Sequence, residues 1–516
     1  MPISEQTTDE NQEGDTVGQQ SPCAPSQKAV IWVVNPFDQL PNETDVPLRY
    51  WTLCKILAEQ GHEVIWWSSD FSHLTKSKRP PCPSTDGFTV RLIETPPYKE
   101  NISFTRLRNH RQFARGFYSE AMQALQSGEL LAPKRIVVSL PPLGLAEEAF
   151  KIRDFINQKT ESRRQKLGTH TPNSPVYSHS TTTCQVVVDI MDAWPETFYQ
   201  IIPKFLRKTL GSLIMAPMHR SAKRAYLGAD KISAVGQSYL DLANRYLATT
   251  RHKRTQSTHS SLPDKRMHLC YHGTDMNRFQ RSMSESKSEG ESADTPHSTS
   301  SVISHSRSAI RTDPLRAVYL GSMGSGYDHM TIIEVAARWK AEGQFPFQIH
   351  FAGAGSQLEK LKAEASKQGL LSEVKKASEY SPLSNLQSPI ASSARVVFHG
   401  YLKKDAINEL LIISDVALVT NRPDSLVACP YKAGEYAAAG LPMISCLNGE
   451  LGQLLKKWDA GSEYKDGDSA SLHAAFNNYA KKPERLKQQK HNARALAEAL
   501  FDRKETYQEL SLFISD

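Results

Sequence analysis

Short apolar runs alternate with amphipathic helical segments in two separate parts of this 516-residue chain. The first part opens with Ala29–Val34, a continuous apolar run typical of a strand that is buried on both faces. A helix is predicted from Val46 to Gln60, because Gly61 stands in the C-cap position, and a second strand over Val64–Trp67. This strand–helix–strand order predicts a doubly wound, parallel α/β sheet.

The same order begins again near residue 317. Ala317–Leu320 predicts a strand, and the glycine-rich loop Gly321–Gly326 follows it directly. The next helix has apolar residues at positions i, i+3, i+4 and i+7, which are Ile332, Val335, Ala336 and Trp339. Further strands are predicted over Arg135–Leu140, Gln185–Ile190, Phe347–Ala352, Arg395–Phe398, Val416–Thr420 and Met443–Ser445. The sequence therefore predicts two α/β halves.

Chain length and polar stretches indicate the domain layout. A single core seldom exceeds about 250–300 residues, so we expect two domains. Four stretches are polar and poor in large apolar side chains, and such stretches cannot offset the entropy cost of ordering: residues 161–183, 251–264, 281–312 and 375–393. The predicted layout is a disordered tail (1–27), an N-terminal domain (28–275), a mobile Ser-rich insertion (276–312), a C-terminal domain (313–497) and a C-terminal helix that crosses back to the N-terminal domain (498–516).

Composition excludes several classes of protein. The net charge of +7 comes without an arginine-rich stripe interleaved with aromatic residues, which argues against a nucleic-acid partner. The seven cysteines show no C-x-x-C pair and no metal-ligand spacing, and their odd number argues against a disulfide framework. The first 27 residues lack the features of a signal peptide, and no apolar run approaches the roughly 20 residues of a membrane span. We therefore expect a cytoplasmic protein that is soluble or peripheral; the sequence leaves its oligomeric state open.

The segment Ile201–Arg224 combines large apolar residues with six lysines or arginines and no acid. A basic amphipathic helix of this kind can lie in the headgroup layer of an anionic membrane, here the inner face of the plasma membrane. A helix that packs on the core and turns a basic face to water has the same pattern. The sequence leaves both interpretations open.

The strongest functional signal is the run from Cys429 to Ser445. A loop of small residues opens a short alanine-rich helix that carries Lys432 and Glu435, and Gly440 precedes the strand that follows. Helix starts of this kind hold anions. The glycine loop after Leu320 allows a similar approach of backbone to a phosphate, although a tight strand-to-helix turn needs the same glycines.

Several motifs together resemble the retaining glycosyltransferases of family 4. The run from Cys429 resembles their donor-sugar signature, in the variant S-P-x-K-x-x-E-Y-x-A-x-G-x-P. Asp192–Glu196 resembles the D-L-W-P-E segment of a fucosamine transferase-like subgroup that acts in surface-polysaccharide synthesis. The other matching segments are Gly61–Val64 (G-H-E-V), Ala229–Val235 (A-D-x-I-x-A-V), His272–Phe279 (N-G-V-D-x-x-x-F) and Tyr319–Gly324 (Y-x-G-x-x-G). The implied fold is GT-B, two Rossmann-like domains facing each other across a cleft.

The resemblance implies a nucleoside diphosphate sugar bound to the C-terminal domain. The resemblance implies that Glu435 accepts hydrogen bonds from the ribose hydroxyls. The alternative is that Glu435 is a glutamate on the solvent-facing side of the helix, without a ligand. Lys432 either pairs with Glu435 along the helix or faces the leaving diphosphate. The other implied binding positions are Gly321, Ser322 and Gly324 at the diphosphate, Gly353, Gly355, Tyr401 and Leu402 at the base, and Pro430 and Tyr431 at the start of the signature helix.

On the acceptor side, the resemblance points to Asp192 and Glu196. Asp192 follows a predicted strand end, where ligand crevices form in open α/β sheets, and it is our third candidate catalytic residue beside Lys432 and Glu435. An aspartate that only caps the next helix is the alternative. Arg49, on the first helix, is a candidate phosphate contact or a plain solvated arginine.

Some family positions differ in this chain. Val427 stands where many relatives have the first acid of an E-x7-E pair, and Tyr327–His329 replaces the basic residue after the glycine loop. With no D-x-D cluster, we expect neither a metal nor another cofactor. The resemblance implies transfer of a hexose-type sugar, with retention of configuration, to a hydroxyl of a lipid-linked or cell-surface polysaccharide precursor. A GT-B sugar-nucleotide epimerase and a non-catalytic sugar-nucleotide-binding relative remain as alternatives.

Overall fold

The computed structural model describes residues 28–44, 46–82, 86–100, 103–166, 183–200, 202–251, 266–279, 314–371 and 395–516. The predicted tail 1–27 and the Ser-rich segment 281–312 lie outside these residues, as do 252–264 and 375–393. The predicted insertion 161–183 is described only at its two ends, and residues 161–166 belong to a helix.

Seven strands form the N-terminal sheet. They are β1 (Val30–Val34), β2 (Glu63–Ser69), β3 (Phe88–Ile93), β4 (Arg135–Leu140), β5 (Gln185–Ile190), β6 (Lys231–Ala234) and β7 (Met267–Leu269). All neighbouring strands are parallel, in the order β3-β2-β1-β4-β5-β6-β7. This is the Rossmann order, which reverses direction between β1 and β4.

Six strands form the C-terminal sheet. They are β8 (Leu315–Leu320), β9 (Phe347–Ala352), β10 (Val396–Gly400), β11 (Val416–Val419), β12 (Met443–Ser445) and β13 (Gly461–Glu463). The order is β10-β9-β8-β11-β12-β13, again fully parallel, and the reversal lies between β8 and β11. Ligands of open α/β sheets bind where the carboxyl ends of the strands meet such a reversal.

Helices connect the strands on both faces. In the N-terminal half they are α1 (Arg49–Glu59), α2 (Phe104–Ser127), α3 (Leu143–Lys166), α4 (Ser212–Gly228) and α5 (Gln237–Arg251). In the C-terminal half they are α6 (Met330–Ala341), α7 (Leu358–Lys367), α8 (Lys404–Ile413), α9 (Tyr431–Ala438), α10 (Glu450–Trp458), α11 (Ser469–Lys481), α12 (Pro483–Leu500) and α13 (Arg503–Ser515). Within the described part of the chain, none of the helices combines the length and apolarity that a bilayer crossing demands.

The last helix lies against the N-terminal half. Leu510 and Ile514 of α13 are buried in the same cluster as Leu53 and Leu57 of α1. Arg135 of β4 donates a 2.8 Å hydrogen bond to the backbone oxygen of Ile514. The end of the chain therefore packs on the first sheet, although the residues before it belong to the second half.

Arg49 corrects one sequence expectation, because it is buried, at 4% exposure, and is not available to a phosphate. Its guanidinium forms a bidentate pair with Asp189 of β5, at 2.8 and 2.9 Å, and both side chains are buried. Tyr50 and Ser233 each donate a 2.7 Å hydrogen bond to the same carboxylate. Arg49 also donates to the backbone oxygen of Cys270, so it joins α1 to β5 and to the end of β7.

Candidate active site

Two glycine-containing loops run side by side at the carboxyl edge of the C-terminal sheet. The backbone N–H groups of Gly321 and Met323 donate to the oxygens of Ala352 and Ala354, both at 2.9 Å. A Cβ atom on Gly353 would lie 1.9 Å from the oxygen of Gly321, and the φ of Gly353 is +137°. Only glycine fits there, so the two loops predicted as separate ligand contacts form one unit.

The same unit includes three other predicted positions. A Cβ on Gly355 would lie 2.5 Å from the oxygen of Met323, so Gly355 also permits the close packing of the loops. The oxygen of Ser322 accepts a 2.7 Å hydrogen bond from the Tyr319 hydroxyl. Gly324, by contrast, has space around it, since the nearest atom to an added Cβ would be 3.8 Å away. The backbone at Gly324 is therefore open to close approach by a ligand.

Helix α9 fixes the strand end that leads into the glycine loop. Lys432 Nζ donates to the oxygen of Leu320 at 3.1 Å, and the N–H of Leu320 donates to the Tyr436 hydroxyl at 2.7 Å. The Lys432 ammonium also lies 4.0 Å above the ring of Tyr319. A Cβ on Gly321 would be 3.4 Å from this ammonium. The signature helix thus places one cation directly beside the glycine loop.

The charge of Lys432 is not balanced by a carboxylate in the described part of the chain. Its neighbours are the backbone oxygen of Leu320 and the faces of Tyr319 and Tyr327. Burial lowers the pKa of Lys432 to about 7, because the half-enclosed ammonium loses solvation. A phosphate bound to the Lys432 ammonium would supply the missing negative charge.

Glu435 does not pair with Lys432, so that predicted alternative is wrong. Its Oε1 atom accepts a 2.8 Å hydrogen bond from Arg278 Nη1 instead. Arg278 lies in the short turn Met276–Phe279 and also donates to Asn408 Oδ1, at 2.6 and 3.2 Å. Lys432 turns toward β8 and Glu435 toward this turn, which separates their charges. Arg278 was missed from the sequence because nothing there distinguishes it from a solvated arginine.

The remaining donor-side positions border this region. The N–H of Gly353 donates to the oxygen of Gly400 at 2.7 Å, so the loop with Tyr401 and Leu402 follows the glycine unit. Tyr401 is 86% exposed, and Leu402 is half-buried. Pro430 is the buried N-cap residue of α9. The Tyr431 hydroxyl, one residue later, accepts a hydrogen bond from Arg503.

Asp192 is bound by its own segment. Its Oδ1 atom accepts from the N–H of Ala193 at 2.7 Å and from Thr197 Oγ1 at 3.3 Å, and its Oδ2 atom accepts from Trp194 Nε1 at 3.0 Å. Burial raises the pKa of Asp192 above its ordinary value. These contacts favour the capping alternative, and a catalytic role for Asp192 stays a prediction. The Glu196 carboxylate accepts a 2.9 Å hydrogen bond from the Tyr246 hydroxyl.

The two halves touch beside the signature run. Glu450, the first residue of α10, accepts from the N–H groups of Gln237 and Ser238 at 2.7 and 2.8 Å, which caps helix α5 of the other half. Its carboxylate also accepts from the Tyr271 hydroxyl. A Cβ on Gly236 would lie 2.6 Å from the Cβ of Ala428, so the backbones of the two halves approach closely there. The contact brings the N-terminal half next to the start of α9.

Asp328, Cys446 and Asp466 form a compact group whose ligand atoms lie within 4.8 Å of one another. No local motif predicts this group, since the three residues follow different strands. Arg422 lies against this group, 2.9 Å from Asp466 and 3.8 Å from Asp328. A guanidinium therefore supplies the positive charge that the two carboxylates require. Arg422 is therefore engaged by these carboxylates.

Comparison with solved structures identifies the architecture. Sucrose-phosphate synthase from Thermosynechococcus elongatus has a TM-score of 0.55 and 12% identity, with 94% of this chain and 98% of that chain covered. HepE from Anabaena, solved with UDP and glucose, has a TM-score of 0.53 and 10% identity, with 94% and 99% covered. OtsA has a TM-score of 0.54 and 10% identity over the same shares. These likenesses confirm the predicted GT-B fold.

Sequence comparison adds nothing to this assignment. No protein-family model matches the chain, and no curated protein matches it. The solved structures are similar in fold at identities of 10–12%.

Proposed function

We propose that this protein is a glycosyltransferase that moves a sugar from a nucleoside diphosphate sugar to a hydroxyl group. One observation carries the proposal: Lys432 Nζ, without a carboxylate partner among the described residues, lies beside the glycine loop at the carboxyl edge of the C-terminal sheet. Loop N–H groups and an ammonium are the donors that a diphosphate requires. The GT-B fold supports the same assignment.

The proposed chemistry places negative charge next to Lys432. The bond from the anomeric carbon to the diphosphate oxygen breaks, and a bond from that carbon to the acceptor oxygen forms. The leaving diphosphate oxygen takes the acceptor proton, so no protein nucleophile is needed and the configuration is retained. Lys432 and the glycine-loop amides stabilise the charge that develops on the diphosphate. Asp192 and Glu196 stay candidates for the acceptor side.

The donor is proposed to be a hexose nucleotide, and the acceptor a lipid-linked or polysaccharide precursor. HepE, which shares the fold, has been solved with UDP-glucose, so a uridine nucleotide is the first donor to test. The test incubates the protein with UDP-, GDP-, ADP- and dTDP-sugars and measures nucleoside diphosphate release, with and without membrane extract. Acceptor-dependent release supports the transferase. Conversion of the donor alone would indicate the epimerase, and binding without turnover would indicate the non-catalytic relative.

Arg278→Ala is expected to lower the ratio of the Kd for 2′-deoxy-UDP to the Kd for UDP about tenfold. Arg278 fixes Oε1 of Glu435, so the carboxylate presents its other oxygen in one orientation to the ribose hydroxyls. We expect Glu435→Ala to abolish the distinction. The measurement is the ratio of Kd values for UDP and 2′-deoxy-UDP by titration calorimetry.

Arg494→Ala is the matched control for Arg278→Ala, because Arg494 pairs with Glu498 on helix α12 and also binds a backbone oxygen. It should leave the Kd ratio unchanged. If Arg278→Ala also leaves the Kd ratio unchanged, the assignment of Glu435 as a ribose contact is wrong.

A further inference from the structure

The starts of two helices expose large apolar side chains on the N-terminal half. On α2, Phe104 is 91% exposed and Leu107 is 39% exposed. On α4, Leu213 is 71% exposed and Ile214 is 53% exposed. We call these four side chains the apolar face. Large apolar residues grouped at a surface in this way indicate a contact with another molecule or a membrane.

The fold places the N-terminal parts of both helices toward one edge of the sheet, and short helical turns over Lys204–Gly211 lead directly into α4. Helices α2, α3 and α4 each lead into the next strand of a parallel sheet, so all three run opposite to the strands. Their N-terminal ends therefore lie at the carboxyl edge. Leu107 and Pro217 line one cavity between these helices. Phe104 and Leu213 lie about one helical turn before Leu107 and Pro217 on the same two helices, on the side of the carboxyl edge.

The cavity has a volume of about 410 Å³ and a mixed lining. Leu143, Met218 and Trp194 supply apolar surface. The charged side chains of the lining are Arg111, Arg115, Glu147, Glu148 and Arg224. Trp194 belongs to the D-x-W-P-E segment, so the cavity reaches the residues expected to face the acceptor.

The unbalanced charge of the cavity is positive. Glu147 is neutralised by Arg224 at 3.0 Å, and Glu148 by Lys151 at 2.8 Å. Arg111 and Arg115 are exposed and form no ion pair with another described residue. Two guanidinium groups thus remain for an anionic ligand.

His110 also lines this cavity, and its side chain carries a buried donor. The side chain is 4% exposed, and its Nε2 atom accepts a 3.3 Å hydrogen bond from Arg106 Nε. Burial, with Arg106 and His73 nearby, lowers the pKa of His110 to about 3, so the ring is neutral and its proton is on Nδ1. Nδ1 is buried without a partner among the described residues. A buried donor without an acceptor is unfavourable, and an oxygen of a bound anion would satisfy it.

We propose that the apolar face docks on an anionic lipid bilayer and that the cavity takes the phosphate group of a lipid. Arg111 and Arg115 bind the phosphate oxygens, and the Nδ1–H of His110 donates to one of them. The lipid chains lie against the apolar face. This assignment rests on the proposed function in one respect: because Trp194 lines the cavity, the phosphate-bearing lipid is the class of acceptor.

Vesicle sedimentation with the full chain tests the proposal. We expect binding to vesicles of phosphatidylcholine with 30% phosphatidylglycerol to be at least tenfold tighter than to phosphatidylcholine alone, and to weaken with salt. Arg111→Gln with Arg115→Gln should weaken binding about 30-fold, since each basic residue near an anionic surface contributes about 1 kcal/mol. Leu213→Ser with Ile214→Ser should weaken it at least tenfold.

Lys481→Gln with Lys487→Gln is the matched control, because it removes the same charge from exposed positions of the C-terminal half. It should not change binding. Dependence on both test pairs, with competition by inorganic phosphate only in excess, supports the proposal. Vesicle binding that neither pair alters would overturn the proposal. It would also be overturned if the protein had no affinity for vesicles and the arginine pair affected only the binding of inorganic phosphate. Nucleotide titration without vesicles reports separately on the proposed function, and thermal unfolding checks that each variant folds.

Discussion

Replacing Lys432 by alanine is expected to lower turnover of the nucleotide sugar by about 100- to 1000-fold. The expectation follows from the position of the ammonium, which is 3.1 Å from the oxygen of Leu320 and adjacent to the glycine loop. Loss of one preorganised donor at developing negative charge has an effect of this size. The measurement is the initial rate of nucleoside diphosphate release at saturating donor.

Lys456→Ala serves as the control for this variant, since Lys456 is an exposed lysine of the same half. It should keep full turnover. The Tm of Lys432→Ala must be measured beside its rate, so that loss of folding is not mistaken for loss of chemistry. If the folded variant turns over at the rate of the unaltered protein, Lys432 does not contact the leaving group.

The pKa of Lys432 gives this site a defined pH dependence. An anion binds the protonated lysine and raises its pKa above the ligand-free value of about 7. We therefore expect the Kd of the nucleotide sugar, whose diphosphate does not titrate in this range, to be constant below pH 7 and to rise up to about tenfold per pH unit above it. Stability of the ligand-free protein changes with pH in the opposite direction to ligand affinity. Because the pKa of Lys432 is lowered in the folded state, the free energy of unfolding increases as the pH rises from about 7 to 10.5.

Replacing Asp189 by alanine is expected to lower the free energy of unfolding by about 3–5 kcal/mol. The change leaves the Arg49 guanidinium buried without the two oxygens that it contacts at 2.8 and 2.9 Å. It also removes the acceptor of the Tyr50 and Ser233 hydroxyls. Urea unfolding, followed by tryptophan fluorescence and circular dichroism, measures the loss.

Glu498→Ala is the control for the buried pair. It breaks the Arg494–Glu498 pair, which has a similar 2.8 Å distance but a carboxylate that is 58% exposed. We expect a cost of only about 0.3–0.5 kcal/mol there. The paired change Arg49→Met with Asp189→Leu should recover most of the loss, because no lone charge stays buried. A cost below about 1 kcal/mol for Asp189→Ala would contradict the account.

Central strands were predicted well from the sequence, whereas of the four edge strands of the described sheets only β10 was predicted, over Arg395–Phe398. Arg135–Leu140, Gln185–Ile190 and Phe347–Ala352 have the predicted bounds, because strands buried on both faces are continuous apolar runs. The edge strand β13 was missed since it is three residues long and reads Gly-Ser-Glu. β7, Met-His-Leu, is equally short. Such strands are defined by the neighbour they pair with, which a local pattern does not contain.

Local motifs located the candidate site but not the partners of its side chains. Lys432 was found from the resemblance of its run to a donor-sugar signature, and the glycine loop was found because a loop followed by a helix start is a local feature. Arg278 binds Glu435 from 157 residues away, and Arg49 binds Asp189 from 140 residues away. These pairs depend on strand order and on the return of the chain across the sheet. Only the folded structure reveals them.

The most direct test is a crystal structure of the protein with the nucleoside diphosphate that raises its Tm most. The account predicts that a diphosphate oxygen lies within about 3.2 Å of Lys432 Nζ and that the backbone N–H groups of Ser322 and Gly324 donate to the same diphosphate. A saturating nucleotide bound elsewhere, with the glycine loop and Lys432 making only their present contacts, would contradict it.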